Sequence, residues 1–172
     1  MSSVFIAPKS EEESYKKLLE MINNGILYKD IEKYLTPENK KILGLKEKFY
    51  GCGLRRTLID YYNMININDK IIFYRKKDLV FYGKIIAKQY IPEVPDIYGW
   101  PIRHNMKRSY VYFFDNIKPI NISVYVFNEF NYNIMPLTHF SNINNEVMDK
   151  INERYGSFDS FIDVKNKYIH FF

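Results

Sequence analysis

A single cysteine, Cys52, has no partner for an intramolecular disulfide and suits a reducing cytosol. The three histidines, His104, His139 and His170, are scattered, so with Cys52 they make no recognisable zinc site. There is no HExxH, no CxxC and no Gly-Lys-Ser/Thr phosphate loop. Gly51-Cys52-Gly53 begins like a dinucleotide fingerprint, but the third glycine is missing and no βαβ unit follows. No carboxylate cluster points to a metal-dependent nuclease. A Cys52–His104 or Cys52–His139 dyad exists only on paper, because nothing in the sequence brings either pair together; a small buried thiol is the plainer reading. The chain reads as a binding protein with no catalytic residue, no metal and no cofactor.

Glycine and proline are sparse at seven each, which excludes low-complexity linkers. No internal repeat is present. No apolar run approaches the ~18 residues of a membrane span. The opening Met-Ser-Ser-Val-Phe-Ile-Ala-Pro lacks the basic and apolar regions of a signal peptide. A soluble, cytoplasmic protein without a membrane partner is expected. At 172 residues, 47% of them apolar, one domain spanning 1–172 has material for a real core.

Aromatic side chains and positive charge are what the chain has in excess. It carries 16 Tyr and 13 Phe but one tryptophan, Trp100. The net charge of +5 is unevenly spread. Residues 1–45 hold seven basic and seven acidic side chains, residues 46–108 thirteen and six, and residues 109–172 five and seven. A clustered cationic excess draws polyanions. Arg55, Arg56, Arg75, Lys76, Lys77, Arg103, Lys107 and Arg108 are the candidate phosphate contacts, expected around one rim.

Trp100 lies in Tyr98-Gly99-Trp100-Pro101, ahead of Arg103, His104, Lys107 and Arg108. A large aromatic on a loop beside cations suits stacking on a nucleotide base; the alternative is a plug at the end of a barrel. In a base pocket, Tyr50, Tyr74 or Phe140 are the other wall candidates.

Val4-Phe5-Ile6 predicts a first strand ending at Pro8. Ser10 and Glu13 form a candidate capping box, with Tyr15, Leu18, Leu19 and Ile22 on one face and Asn24-Gly25 as the stop. The Glu11–Glu13 run is thereby explained by the helix start rather than by catalysis. Tyr28 to Leu35, and a helix capped by Thr36 with Pro37 at its first position and Gly44 at its end, look like an insertion over 28–43. Phe49 to Gly53 breaks the helical pattern, and Leu54 to Tyr62 predicts a short helix. Lys70 to Arg75 and Leu79 to Tyr90 predict a hairpin, interrupted at Gly83 where a curved sheet bends. Ile91 to Met106 is expected as a long loop. Strands over 109–114 and 120–127 are separated by an expected turn at Asp115-Asn116. After Pro136 comes a helix capped by Asn142 or Asn144, with Ile143, Val147, Ile151 and Tyr155 on its core stripe. Phe158 to Tyr168 predicts a final helical turn or two before the terminal Ile-His-Phe-Phe. The whole is α+β: a small, curved, mostly antiparallel, barrel-like sheet of five or six strands with flanking helices.

Asn68-Asp69-Lys70-Ile71-Ile72-Phe73-Tyr74 and Phe81-Tyr82-Gly83-Lys84-Ile85 resemble the "GDxVxFY…F.G.G.V" hairpin of the PUA-like superfamily, especially its EVE and YTH branch. Leu137 to Ile151 resembles the Phe-Ser stretch and closing helix of EVE domains. The resemblance covers about two thirds of the chain. It implies a module that holds a modified, methylated base in an aromatic cage, as RNA readers do and as the N-terminal DNA-recognition domains of McrB-type restriction systems do. By position, Trp100 matches a cage aromatic, and Phe49-Tyr50-Gly51 stands where the family carries a Trp near a Gly. Gly51, Cys52 and Ser141 then become candidates for reading the base edge. The resemblance favours DNA over RNA as partner, with a GTPase or nuclease module outside this chain. An RNA modified-base reader is the alternative, and a protein-interaction domain without nucleic acid is a further one.

Overall fold

The computed structural model describes residues 2–134 and 138–167. In chain order the strands are β1 Val4–Pro8, β2 Tyr50–Leu54, β3 Lys70–Arg75, β4 Asp78–Tyr90, β5 Tyr110–Ser123 and β6 Ser141–Asn142. They form one sheet in the order β2-β5-β4-β3-β1-β6. Pairing is antiparallel except between β1 and β3, where Val4 faces Lys70 and Pro8 faces Tyr74 in parallel register. The helices are α1 Glu12–Asn24, α2 Tyr28–Ile31, α3 Pro37–Leu43, α4 Ile59–Met64, α5 Val94–Tyr98, α6 Asn145–Tyr155 and α7 Phe158–Lys165.

The sheet curls into a half-barrel because its central strands are bulged. The β4–β5 ladder shifts register at Leu79/Phe81, Tyr82/Lys84 and Ile85/Ala87, and β3–β4 shifts at Phe73/Tyr74. Each bulge adds a residue on one strand and sharpens the local twist. Gly83 sits at one of these shifts, as expected from its place in the sequence. Strand alternation then divides the core in two. Phe5, Ala7, Ile71, Phe73, Ile85 and Phe113 pack on the concave side with α1, α3 and Trp100. Val4, Ile6, Ile72, Tyr74, Leu79 and Tyr82 pack on the other face under α6 and α7.

Several elements differ from the sequence reading. Residues 109–127 are not two strands with a turn. β5 runs unbroken to Ser123, and Asp115-Asn116 is a kink within it, where Asn116 takes a φ of 50°. Asn tolerates that conformation better than most residues. Val124–Phe130 is a 3-10 stretch, not strand, started by the Ser123 Oγ accepting from the Tyr125 N–H. Ser10 does not cap α1. Its Oγ accepts from the Lys76 N–H, and the helix begins at Glu12, with Glu12 and Glu13 in its first turn. The segment Ile91 to Met106 is not all loop, since α5 lies inside it. Leu54 to Tyr62 splits into β2's last residue, a 3-10 turn over Arg56–Leu58 and α4. Two strands escaped the sequence reading: β2, and the two-residue β6 that pairs Ser141 with Ile6.

Other expectations match. Thr36 accepts from the Asn39 N–H with Pro37 at the helix start, and Gly44 closes α3. Of the two candidate caps for α6, Asn144 is the one used, accepting from the Val147 N–H at 2.8 Å. The 28–43 helices are anchored on β4: Asn39 Nδ2 donates to the Lys88 carbonyl and the Gln89 Oε1, and Gln89 Nε2 donates to the Tyr34 carbonyl at 2.6 Å. Pro136, Leu137, the end of the predicted last helix at Tyr168, His170 and the terminal phenylalanines lie outside the described residues. Among the described residues, no helix is long and apolar enough to cross a membrane.

Candidate nucleic-acid interface

The half-barrel does not close. β2 forms one edge of the sheet and β6, beside β1, the other, and a cavity of about 440 Å³ takes its lining from both. From one edge come Ala7 and Pro8 of β1 and Phe140, which precedes β6; from the other come Gly53 and Leu54 of β2, with Tyr112 of the neighbouring β5. The Lys9–Glu11 segment, Ser14, Arg55, Leu58, Arg103, Arg108, Thr138 and His139 complete the rim and walls.

Its aromatic wall is Tyr112 and Phe140, whose ring centroids are 5.6 Å apart. Phe5 stacks behind Phe140 at 5.4 Å and Tyr61 meets it edge-on at 6.0 Å, so the ring is held rigidly. Tyr112 faces Cys52 in the β2–β5 register. Burial, with the neighbouring Cys52, pushes the Tyr112 hydroxyl well above its ordinary range.

Four cations line the cavity: Lys9, Arg55, Arg103 and Arg108. The lining holds one carboxylate, Glu11, which is already paired with Arg103. Lys9 is only 8% exposed. Burial pulls its ammonium below the ordinary lysine value; Cys52 opposes this, and the positive charge of Arg108 adds a smaller lowering effect. Arg108 is also lowered, first by burial. Its Nε is buried without a hydrogen-bond partner among the described residues. The positive potential is therefore concentrated inside the cavity as well as on its rim.

Adjoining this cavity is a second, of about 20 Å³, lined by Trp100, Leu18, Met21, Gly51 and Cys52 among others. Lys9, Ser14, Gly53 and Arg108 line both and so form the partition between them. Trp100 is 9% exposed and belongs to the main core, 6.2 Å from the Tyr98 ring in a stacked arrangement. It also lines a surface cavity of about 120 Å³ with Lys17, Glu20 and Asn24. Its place is that of the plug alternative, not a wall of the 440 Å³ cavity.

The other expected site residues divide accordingly. Phe140 lines the large cavity. Gly51 and Cys52 stand behind the partition. Tyr50 is buried in the main core, stacked on Phe114 at 5.6 Å, and lines neither cavity. Tyr74 points to the opposite face of the sheet, into the second core. Strand alternation settles this, because Phe73 takes the concave side. Ser141 is half-buried in β6, beside Phe140. Of the cations, Arg55, Arg103 and Arg108 come together; Lys76 is tied to the lining only by its backbone N–H, which donates to the Ser10 Oγ. Lys77 is exposed next to it and Arg56 next to Arg55. Arg75 turns away to lie over the Tyr15 ring at 3.8 Å, and Lys107 is paired with Asp96 at 2.7 Å.

Lys9, Tyr112 and Leu54 are among the lining residues that sequence reasoning passed over. Lys9 stood in a segment read only as a helix start. Tyr112 was one tyrosine among sixteen. Only the register of β2 against β5 singles it out.

No family model and no curated protein matches the sequence significantly. Among solved structures, the fold is similar to that of the N-terminal domain of Thermococcus gammatolerans McrB bound to m5C DNA, with a TM-score of 0.63 and 16% identity. The likeness covers 89% of this chain and 96% of that one. The expected α+β architecture, a curved and mostly antiparallel sheet with flanking helices, is the one observed, and it is the fold of that domain.

Proposed function

We propose that this chain is a DNA-binding module that takes one modified base, flipped out of the duplex, into the cavity at the open seam of the half-barrel. The observation that carries this reading is the cavity itself: about 440 Å³, walled by Tyr112 and Phe140 and lined by four cations against one paired carboxylate. That volume falls in the range of small-molecule pockets and holds a single base. A base outside the helix has lost its stacking partners and regains them on aromatic rings. Arg55, Arg103, Lys76 and Lys77 at the rim then neutralise the flanking phosphates, giving affinity without sequence information.

The fold likeness to a domain described as bound to m5C DNA supports the same reading. The module would serve as the specificity element of a McrB-type modification-dependent restriction system, with the GTPase and nuclease supplied from elsewhere. Its own role is recognition and not catalysis. Trp100 supports the partition from behind, and Phe140 takes the place in the cage that the sequence motif assigned to Trp100.

The deciding experiment is a binding panel of duplex and single-stranded DNA and RNA, with and without base methylation, at two salt concentrations. Selective binding of methylated duplex DNA that weakens with salt is the expected result. Selective binding of methylated RNA would make the chain an RNA reader. No salt-sensitive binding to any of them would leave protein interaction as the function.

A further inference from the structure

Lys9, Arg55, Arg103 and Arg108 line the seam cavity together, with little to balance them. Glu11, the one carboxylate in the lining, is taken by Arg103. The adjoining cavity, which Lys9 and Arg108 also line, has no carboxylate among its lining residues. Lys9 is more than nine-tenths buried, and its ammonium makes no hydrogen bond or ion pair among the described residues. The buried Arg108 Nε has no acceptor among them either. The charges are close enough to oppose one another. Behind the larger effect of burial, and against Cys52, Arg108 lowers Lys9, and Arg55 and Arg103 lower Arg108. An unpaired buried cation is costly to a fold, and a ligand that brings acceptors and negative charge removes the cost.

We infer that Lys9 and Arg108 bind a phosphate group, with the Ser14 hydroxyl as a third donor. A neutral base brings no counter-charge, so a base in the cavity leaves these two cations unbalanced. A phosphate supplies the charge and several acceptor oxygens at once. Ammonium and guanidinium groups offer donors and no acceptor, and their charge-assisted bonds to phosphate are of the strong kind. Ser14 lines both cavities beside Lys9 and Arg108, and it lies in the first turn of α1. The Glu11 side chain makes no capping bond there, so the first N–H groups of the helix add their partial positive charge. Glu12 and Glu13 share that turn but line neither cavity. Two sources carry the chemistry. A phosphodiester of a bound strand rests on the base-binding reading above; free phosphate does not.

The test compares the whole chain with its Lys9→Met variant in two readouts. The first contains no DNA: the melting temperature in low-millimolar sodium phosphate against sodium chloride of equal ionic strength. Phosphate should raise the melting temperature of the unaltered chain above its value in chloride, as a ligand of the folded state does. Lys9→Met should lose that excess, while in chloride it melts higher because an unpaired buried charge is gone. The second readout is affinity for methylated and unmethylated duplex DNA across a salt series. Lys9→Met should weaken both duplexes alike and flatten the slope of log affinity against log salt by about one. Loss of the slope, with or without loss of the phosphate excess, makes the DNA backbone the source. Loss of the excess alone makes free phosphate the source. A variant that matches the unaltered chain in both readouts overturns the inference. So does one that loses the preference for methylated DNA at an unchanged slope, because Lys9 then meets the base. If Lys9→Met does not fold, Ser14→Ala carries the phosphate readout, and an undiminished excess there overturns the inference. Failure of the unaltered chain to bind either duplex removes the base-binding reading, and the DNA-free readout then decides the phosphate site by itself.

Discussion

The backbone carbonyl of Arg108 fills the space that a Cβ on Gly53 would occupy. The two residues belong to the β2 edge and to the approach to β5, and their contact holds Arg108 in the partition between the two cavities. Gly53→Ala must push the Arg108 backbone away, since a carbonyl cannot yield as a side-chain tip can. A loss of about 1–3 kcal/mol or more is expected from such overpacking. At Gly51 the nearest obstacle is the Ile26 Cδ1, 2.8 Å from a built Cβ, which is the mobile end of a side chain. Gly51→Ala should cost less. Urea denaturation of both variants checks the order.

Reversal of the rim cations Arg55, Arg56, Lys76 and Lys77 to glutamate should weaken DNA binding on all sequences alike. Each lost phosphate contact should flatten the slope of log affinity against log salt by about one. Adding Lys107 to the set should change little, because Asp96 already engages it at 2.7 Å. Affinities measured across a salt series provide the check.

Trp100→Ala should be severely destabilising, by about 3–5 kcal/mol, the usual cost of emptying a large aromatic site in a core. Read as a cage wall on the sequence alone, Trp100 would be dispensable to the fold; its place in the main core reverses that expectation. Trp100→Phe should retain most of the stability. Thermal melting of the two variants separates these outcomes.

Acid should weaken the α6–α7 end of the molecule through Glu129. Burial acts to raise its carboxyl, but hydrogen bonds from Arg154, Lys165 and Tyr155 outweigh it and hold the group down at about 2, against an ordinary 4.5. A carboxylate whose folded value is depressed contributes stability that is complete above the unfolded value and is lost as pH falls toward the folded one. The window is therefore pH 4.5 down to about 2. Glu129→Gln should flatten the melting temperature across that window while lowering it at neutral pH.

What the sequence disclosed and what it hid follow from the range of the interactions involved. The β3–β4 hairpin, the Thr36-Pro37 cap and, to within the choice between Asn142 and Asn144, the cap of α6 are local, set by residues within a few positions of each other, and they were legible. β2 was not, because Tyr-Gly-Cys-Gly-Leu has poor strand propensity. Its glycines are there for Ile26 and Arg108, which arrive from distant parts of the chain. The kink at Asp115 was read as a turn because its acidic-amide pair is turn chemistry. Burial of Asp115 and its ion pair with Lys46 at 2.9 Å keep it inside a strand. At the site, charge clustering pointed to the middle of the chain, from which Arg55, Arg103 and Arg108 of the cavity lining come, but not to Lys9. Lys9 was invisible because its isolation is a property of the folded surroundings. Tyr74 was misassigned by a single step of strand alternation.

The parallel pairing of β1 with β3 orders events in time. β3, β4 and β5 follow one another in the chain as an antiparallel meander and can form from near-neighbour contacts. β1 must wait for β3, which lies some 66 residues further on, from Val4 to Lys70. β6 in turn needs β1 in place, across an even longer gap. Long-range pairings of this kind are the slow ones, because loop closure precedes any reward. Ala7, Lys9 and Phe140 all belong to these late arrivals. The seam cavity should therefore be the last part of the molecule to assemble and, in hydrogen exchange, among the first to open.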